Sequence, residues 1–137
     1  MRARMLSVFA VIAGAFLMTA VPMPAHHSFS AEYDKQKPVT LKGTVTKVEW
    51  MNPHARFYVD VKDDATGKVT NWEFELGSPN GLMRQGWTRD SLKRGDALTV
   101  SGYLARDGSH LASARTIRFG DGRRVVLGSS GDGGPAK

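Results

Sequence analysis

The sequence predicts an all-β domain with one short helix, an OB-fold-like, partly open Greek-key barrel of five to six strands. Two observations predict it. Between residues 39 and 127, apolar side chains alternate at a period of two in short runs separated by glycine-containing turns. That period breaks once, after the third run, for a short helical segment, giving the order of three strands, a helix and two strands. A two-layer antiparallel sandwich with one stray helix is the alternative.

The first strand runs from Val39 to Trp50. Val39, Leu41, Gly43 and Val45 share one parity, whereas Val48 and Trp50 share the other, so a bulge or sharp coil is expected between Val45 and Val48. Gly43 would help the strand bend. Ala55 to Val61 is the second strand, with Phe57, Val59 and Val61 on one face. The run Asp63 to Gly67 makes the turn of a hairpin to the third strand, Val69 to Leu76. Ser78 is a helix N-cap, Pro79 suits the first helical position and Gly86 the exit. A further turn from Thr88 to Gly95 tucks in Leu92. Ala97 to Leu104 is the fourth strand, Asp107-Gly108 turns it, and Leu111 to Phe119 is the fifth. Strict alternation sets Leu111, Ser113, Arg115, Ile117 and Phe119 on one face. Asp121-Gly122 turns into a short sixth strand within Arg123 to Leu127.

The chain has 137 residues, 41% hydrophobic and 23% charged, which fits one ordinary globular domain. It contains no cysteine, which excludes a disulfide framework, a thiolate zinc site, an iron–sulfur cluster and a cysteine nucleophile. Lys and Arg number 19 against 13 Asp and Glu, a formal charge of +6. Arg2 and Arg4 precede an uncharged, mostly apolar run from Met5 to Val21, bounded by Pro22 and Pro24. That is the pattern of a secretory signal peptide over residues 1–25, with cleavage after Ala25, Ala20 as a second candidate position, and an uncleaved anchor as the alternative. Residues 26–38 read as an irregular lead-in pinned by Phe29 and Tyr33, residues 39–127 as the barrel, and residues 128–137, rich in glycine and serine, as a flexible tail. The expected location is periplasmic or secreted, with membrane contact only through the signal peptide during export.

Three groups invite a functional reading. Cleavage after Ala25 would leave His26 first, its free amine beside its own imidazole and followed by His27. That set resembles the histidine brace of secreted copper proteins and suits Cu(II). The second group is Trp50, Met51, Asn52, Pro53 and His54, in the loop joining the first two strands. Pro53 fixes the backbone before His54, so its imidazole would be held as a metal ligand or hydrogen-bonding group. The third is Glu73 and Glu75, about 7 Å apart along one strand face. A glycosidase pair is rejected, because such glutamates usually form a solvated face. One of them is expected to contact Arg56 or Lys47. Trp72 and Trp87 are expected mainly as core residues.

His26-His27-Ser28-Phe29, the run from Leu41 to Trp50, Asn52-Pro53-His54, the run from Trp72 to Glu75 and Gly86-Trp87-Thr88 resemble a family of small exported bacterial proteins of unknown function. The resemblance spans roughly residues 26–127. It implies export and compactness and no activity.

The resulting expectation is an exported binding module holding a metal, copper, through His26, His27 and His54. The alternative is a metal-free barrel that binds a periplasmic protein, a peptide or a glycan through Trp50, Met51, Asn52, Arg56 and Trp87. Export argues against nucleic acid as a partner. No nucleophile with a base at motif spacing and no phosphate loop is present, so an enzyme is not expected. His110, beside the Asp107-Gly108 turn, reads as a surface residue.

Overall fold

The computed structural model describes residues 28–127. The expected leader, His26, His27 and the tail from Gly128 lie outside the described residues. In chain order the elements are α1 (Phe29–Glu32), β1 (Tyr33–Glu49), β2 (Arg56–Lys62), β3 (Val69–Glu75), α2 (Pro79–Arg84), β4 (Ala97–Ala105), β5 (Leu111–Phe119) and β6 (Arg124–Val126). The strands lie in the order β3-β2-β1-β4-β5-β6, and β3 also pairs with β5, so five of them close into a ring. The closing pair is parallel and short, matching Glu73, Phe74 and Glu75 to Leu111, Ala112 and Ser113. The barrel is therefore partly open, with α2 between β3 and β4 and β6 added on the outer edge of β5.

β1 makes the ring possible. Its first part pairs with β4 from Tyr33 to Thr44, and its second part pairs with β2 from Thr44 to Glu49. The predicted face switch is present: Val45 pairs with Val59 and Lys47 with Tyr58, which leaves Thr46 as an extra residue. Val45 and Val48 thereby both face the core despite opposite parity. Val45 N–H donates to the Asp96 carbonyl at 2.9 Å and its carbonyl accepts from Gly95 N–H at 2.8 Å, which pins the loop after α2 to the bend. A Cβ at Gly43 would stand 2.2 Å from the Asp60 carbonyl oxygen, so only glycine lets β2 approach here. Gly102 is under the same constraint, at 2.0 Å from the Ser113 carbonyl oxygen.

The interior is filled from every strand. Phe57 and Phe74 stack at 5.2 Å between ring centroids, and Val59, Val100, Ile117 and Leu127 are fully buried around them. α2 closes one end. Ser78 caps it, its Oγ accepting from Gly81 N–H at 3.2 Å; Pro79 stands at the start, and Leu82 is driven into the core. Leu92 is buried in the following turn, as its sequence position predicts.

Two expectations are corrected. Residues 28–38 are not irregular: Phe29–Glu32 form a helical turn, and Tyr33 to Pro38 belong to β1. The segment lacks apolar alternation, and its extended form is imposed by the pairing of Tyr33 with Ala105 and Pro38 with Tyr103. Nor does β5 keep one parity. Ser101 pairs with Thr116 and Gly102 with Ala114, so Arg115 is bulged, and Ile117 and Phe119 join Ala112 and Ala114 on the inner side.

Gly43→Ala and Gly102→Ala are each expected to lower unfolding free energy by about 1–3 kcal/mol, as overpacking does. Gly77→Ala, whose added carbon would meet only Leu82 at 4.0 Å, should change it by less than about 1 kcal/mol. Urea denaturation of the three variants checks this ranking.

Candidate functional site

The β2–β3 register lays out a polar face on the outside of the barrel. Counted from the Lys62–Val69 pair, it matches Tyr58 to Glu73 and Arg56 to Glu75. Phe57 and Phe74 then point inward, and the charged residues between them point outward. β1 extends the row, with Glu49 opposite Arg56 and Lys47 opposite Tyr58. Lys47 bonds Glu49, which also accepts from the Tyr58 hydroxyl at 3.1 Å. The Lys47 contact comes first in holding the Glu49 carboxyl below its usual range.

Arg56 spans both glutamates, with Nη1 at 2.6 Å from Glu73 Oε1 and Nη2 at 3.4 Å from Glu75 Oε2. The expected contact with Arg56 is therefore present, while Lys47 turns to Glu49. Partial burial disfavours the Arg56 cation, and the charges of Glu73 and Glu75 outweigh it, leaving its pKa raised.

Glu75 corrects the expectation of a solvated pair, because only 2% of it is exposed. Its cover is built from a distant part of the chain. Ser113 pairs with both Glu75 and Tyr103, and Tyr33 lies opposite Ala105, two residues along from Tyr103 on the same outer face. Small side chains at Ala105 and Ser113 leave room for the Tyr33 ring, which is buried. Phe29 packs on it at 5.3 Å and on Tyr103 at 6.2 Å. Arg106 ties α1 down, its backbone N–H donating to Glu32 and its Nε to the Ser30 carbonyl. The buried Tyr33 hydroxyl lies beside the Glu75 carboxylate, outside good hydrogen-bond geometry. Burial first, and the Glu75 charge second, push the phenol far above its ordinary range.

His54 completes the group. Ala55 N–H donates to the Gly77 carbonyl at 3.0 Å and Leu76 N–H to the Ala55 carbonyl at 2.8 Å, so the loop's exit is clamped to the end of β3. His54 therefore stands beside Glu75, with Nδ1 at 3.0 Å from Oε1. The imidazole is 31% exposed against 2% for the carboxylate, so the open side of the pair belongs to the histidine. A carboxylate that accepts from Nδ1–H fixes the ring's orientation and leaves Nε2 as the lone-pair nitrogen. Metal-binding histidines are held in this way, and so are histidines that accept protons.

The other candidates separate. Met51 is 55% exposed at the loop tip, beside exposed Asn52 and Pro53, while Trp50 packs partly against the core. The Asn52–Pro53 peptide is cis. Trp87, named above as a ligand contact, is 6% exposed and packs in the core cluster. Trp72 packs against the core and carries the exposed His110 ring at 4.9 Å. His26 and His27 fall outside the described residues, among which no group of three or more histidine or carboxylate ligands gathers. Glu75 and Tyr33 are the site residues that sequence reasoning did not select.

A family model described as a family of unknown function (DUF6152) matches residues 15–114, and the chain belongs to that family. No curated protein and no solved structure matches the chain.

The raised Tyr33 pKa makes an alkaline prediction. The folded phenol holds its proton above the unfolded value of about 10, so stability is complete below that pH and falls as pH rises beyond it. Tyr33→Phe should flatten that fall between about pH 9.5 and 11. Urea titrations at a series of pH values decide it; an unaltered slope would show that Tyr33 is not the group responsible.

Proposed function

We propose that this member of a family of unknown function is an exported binding module that holds a metal ion, copper, through His54 together with His26 and His27. In this reading residues 1–25 are removed on export, and the new terminus supplies the His26 amine and ring. The observation that carries it is the 3.0 Å contact between His54 Nδ1 and a carboxylate that is 2% exposed. Nothing about a plain turn requires a glutamate to be buried behind a partly exposed imidazole. A ligand histidine does require it, because the second nitrogen must be tied to set the direction and basicity of the first.

A second observation supports the shared site. The described residues begin at Ser28, next to His27. Phe29 packs on Tyr33, Tyr33 lies against Glu75, and Glu75 Oε1 stands 3.0 Å from His54 Nδ1. The chain thus enters the barrel on the face that carries His54. Imidazole nitrogens with an amine suit Cu(II).

The alternative, a metal-free interaction surface, leans on Met51, which is 55% exposed at the tip of the same loop. Calorimetry separates the two. The exported protein, with intact mass confirming His26 as its first residue, should bind Cu(II) more tightly than about micromolar. Glu75→Gln should weaken binding about 10–100-fold, the usual effect of removing an outer-shell partner, and His54→Ala at least as much. Binding no tighter than micromolar, or no change in either variant, would overturn the metal reading.

A further inference from the structure

The rest of the barrel's outer surface is chemically different from the face around Glu75. From Lys35 to Val48, and throughout β4, β5 and β6, the strands carry no acidic residue. They carry Lys35, Lys37, Lys42, Lys47, Arg115, Arg118 and Arg124. The register gathers three of these cations into one row. Lys42 pairs with Thr99, Thr99 with Arg118 and Arg118 with Arg124. Residues directly opposite lie on the same face, so the row crosses four neighbouring strands over about 14 Å. The next row is Thr40, Ser101 and Thr116, ending at Val126.

Lys42, Arg118 and Arg124 are exposed, and none has an ion-pair partner among the described residues. Arg118 and Arg124 face each other directly. Like charges at such a pair destabilise a sheet. One row of hydroxyls lies beside them, with Thr40 and Ser101 bonded at 2.9 Å. Thr40, Thr99, Ser101, Thr116, Arg118 and Arg124 together line a shallow depression of about 280 Å³.

We propose that this face binds an acidic saccharide. The arginines take its carboxylate or ester-anion groups through forked, charge-assisted hydrogen bonds. The threonine and serine hydroxyls, which both donate and accept, match the ring hydroxyls between those groups. A membrane surface fits less well. Lipid recognition by charge uses clusters of about 4–8 basic residues, and the row gathers only Lys42, Arg118 and Arg124. Val126, at the edge, is the one exposed large apolar side chain on these rows. A single phosphate would engage one arginine and leave the row unused. The surface shares no residue with the His54–Glu75 site, so the proposal is independent of the metal reading.

The test titrates the exported protein with polygalacturonate, neutral dextran, inorganic phosphate and vesicles of phosphatidylglycerol in phosphatidylcholine. Polygalacturonate should bind, weakening as salt rises, and dextran should not. The exposed triple change Lys42→Gln, Arg118→Gln and Arg124→Gln should weaken binding roughly tenfold or more, as expected when charge-assisted bonds are lost. Changing the exposed loop pair Lys93→Gln and Arg94→Gln, which removes charge elsewhere, should alter it less than about twofold. Circular dichroism confirms that both variants are folded. Absence of polygalacturonate binding, equal loss in both variants, or binding to vesicles or phosphate alone would overturn the proposal.

Discussion

The burial of one carboxylate organises the face on which the site stands. Glu75 is 2% exposed on the outer side of a small barrel, a position where an ionised group without compensation is costly. Arg56 supplies the opposite charge, and His54 Nδ1 stands 3.0 Å from Oε1. Arg56 is divided between two glutamates and holds Glu75 only at 3.4 Å, so the 3.0 Å histidine contact is the shorter of the two. Buried ion pairs add little net stability against an apolar replacement. What this arrangement supplies is placement: the imidazole is held by a rigid strand end even though it sits in a loop.

That placement depends on the barrel's construction. A first strand of seventeen residues serves two neighbours in turn, and its bend is fixed by the bulge at Thr46 and the close approach at Gly43. The same strand begins with Tyr33, so the element that bends to close the ring also covers Glu75. The outer surface is thereby divided. Acidic residues gather on β2 and β3, and basic residues without an ion-pair partner among the described residues, Lys42, Arg118 and Arg124, lie on β1, β5 and β6.

Much of the fold was legible in the residues. The hairpin turn at Asp63 to Gly67, the Ser78-Pro79 cap and the face switch after Val45 each carry a local chemical signature, and each matches an observed feature. What escaped lacks such a signature. Asp34 to Pro38 is polar and becomes strand only through β4. The bulge at Arg115 is marked by neither glycine nor proline in β5; the glycine that accommodates it, Gly102, is on the neighbouring strand. The site was legible in part. The residue pattern marks His54 and Arg56, whereas it makes Glu75 read as solvated. Counting back from the hairpin turn would have set Arg56 opposite Glu75, with His54 two residues further along the same face. Its burial could not be read that way, because the cover comes from Tyr33 and Phe29, whose contacts close only once the ring has formed.

The central claim is that the Glu75 carboxylate holds a proton on His54 Nδ1 and so presents Nε2 as the free nitrogen. Nitrogen-15 NMR of the imidazole reads this directly, in the metal-free protein at a pH where the ring is neutral. The expected result is the tautomer with hydrogen on Nδ1, and its loss in Glu75→Gln. A ring that carries its hydrogen on Nε2, with Nδ1 bare against the carboxylate, would contradict it.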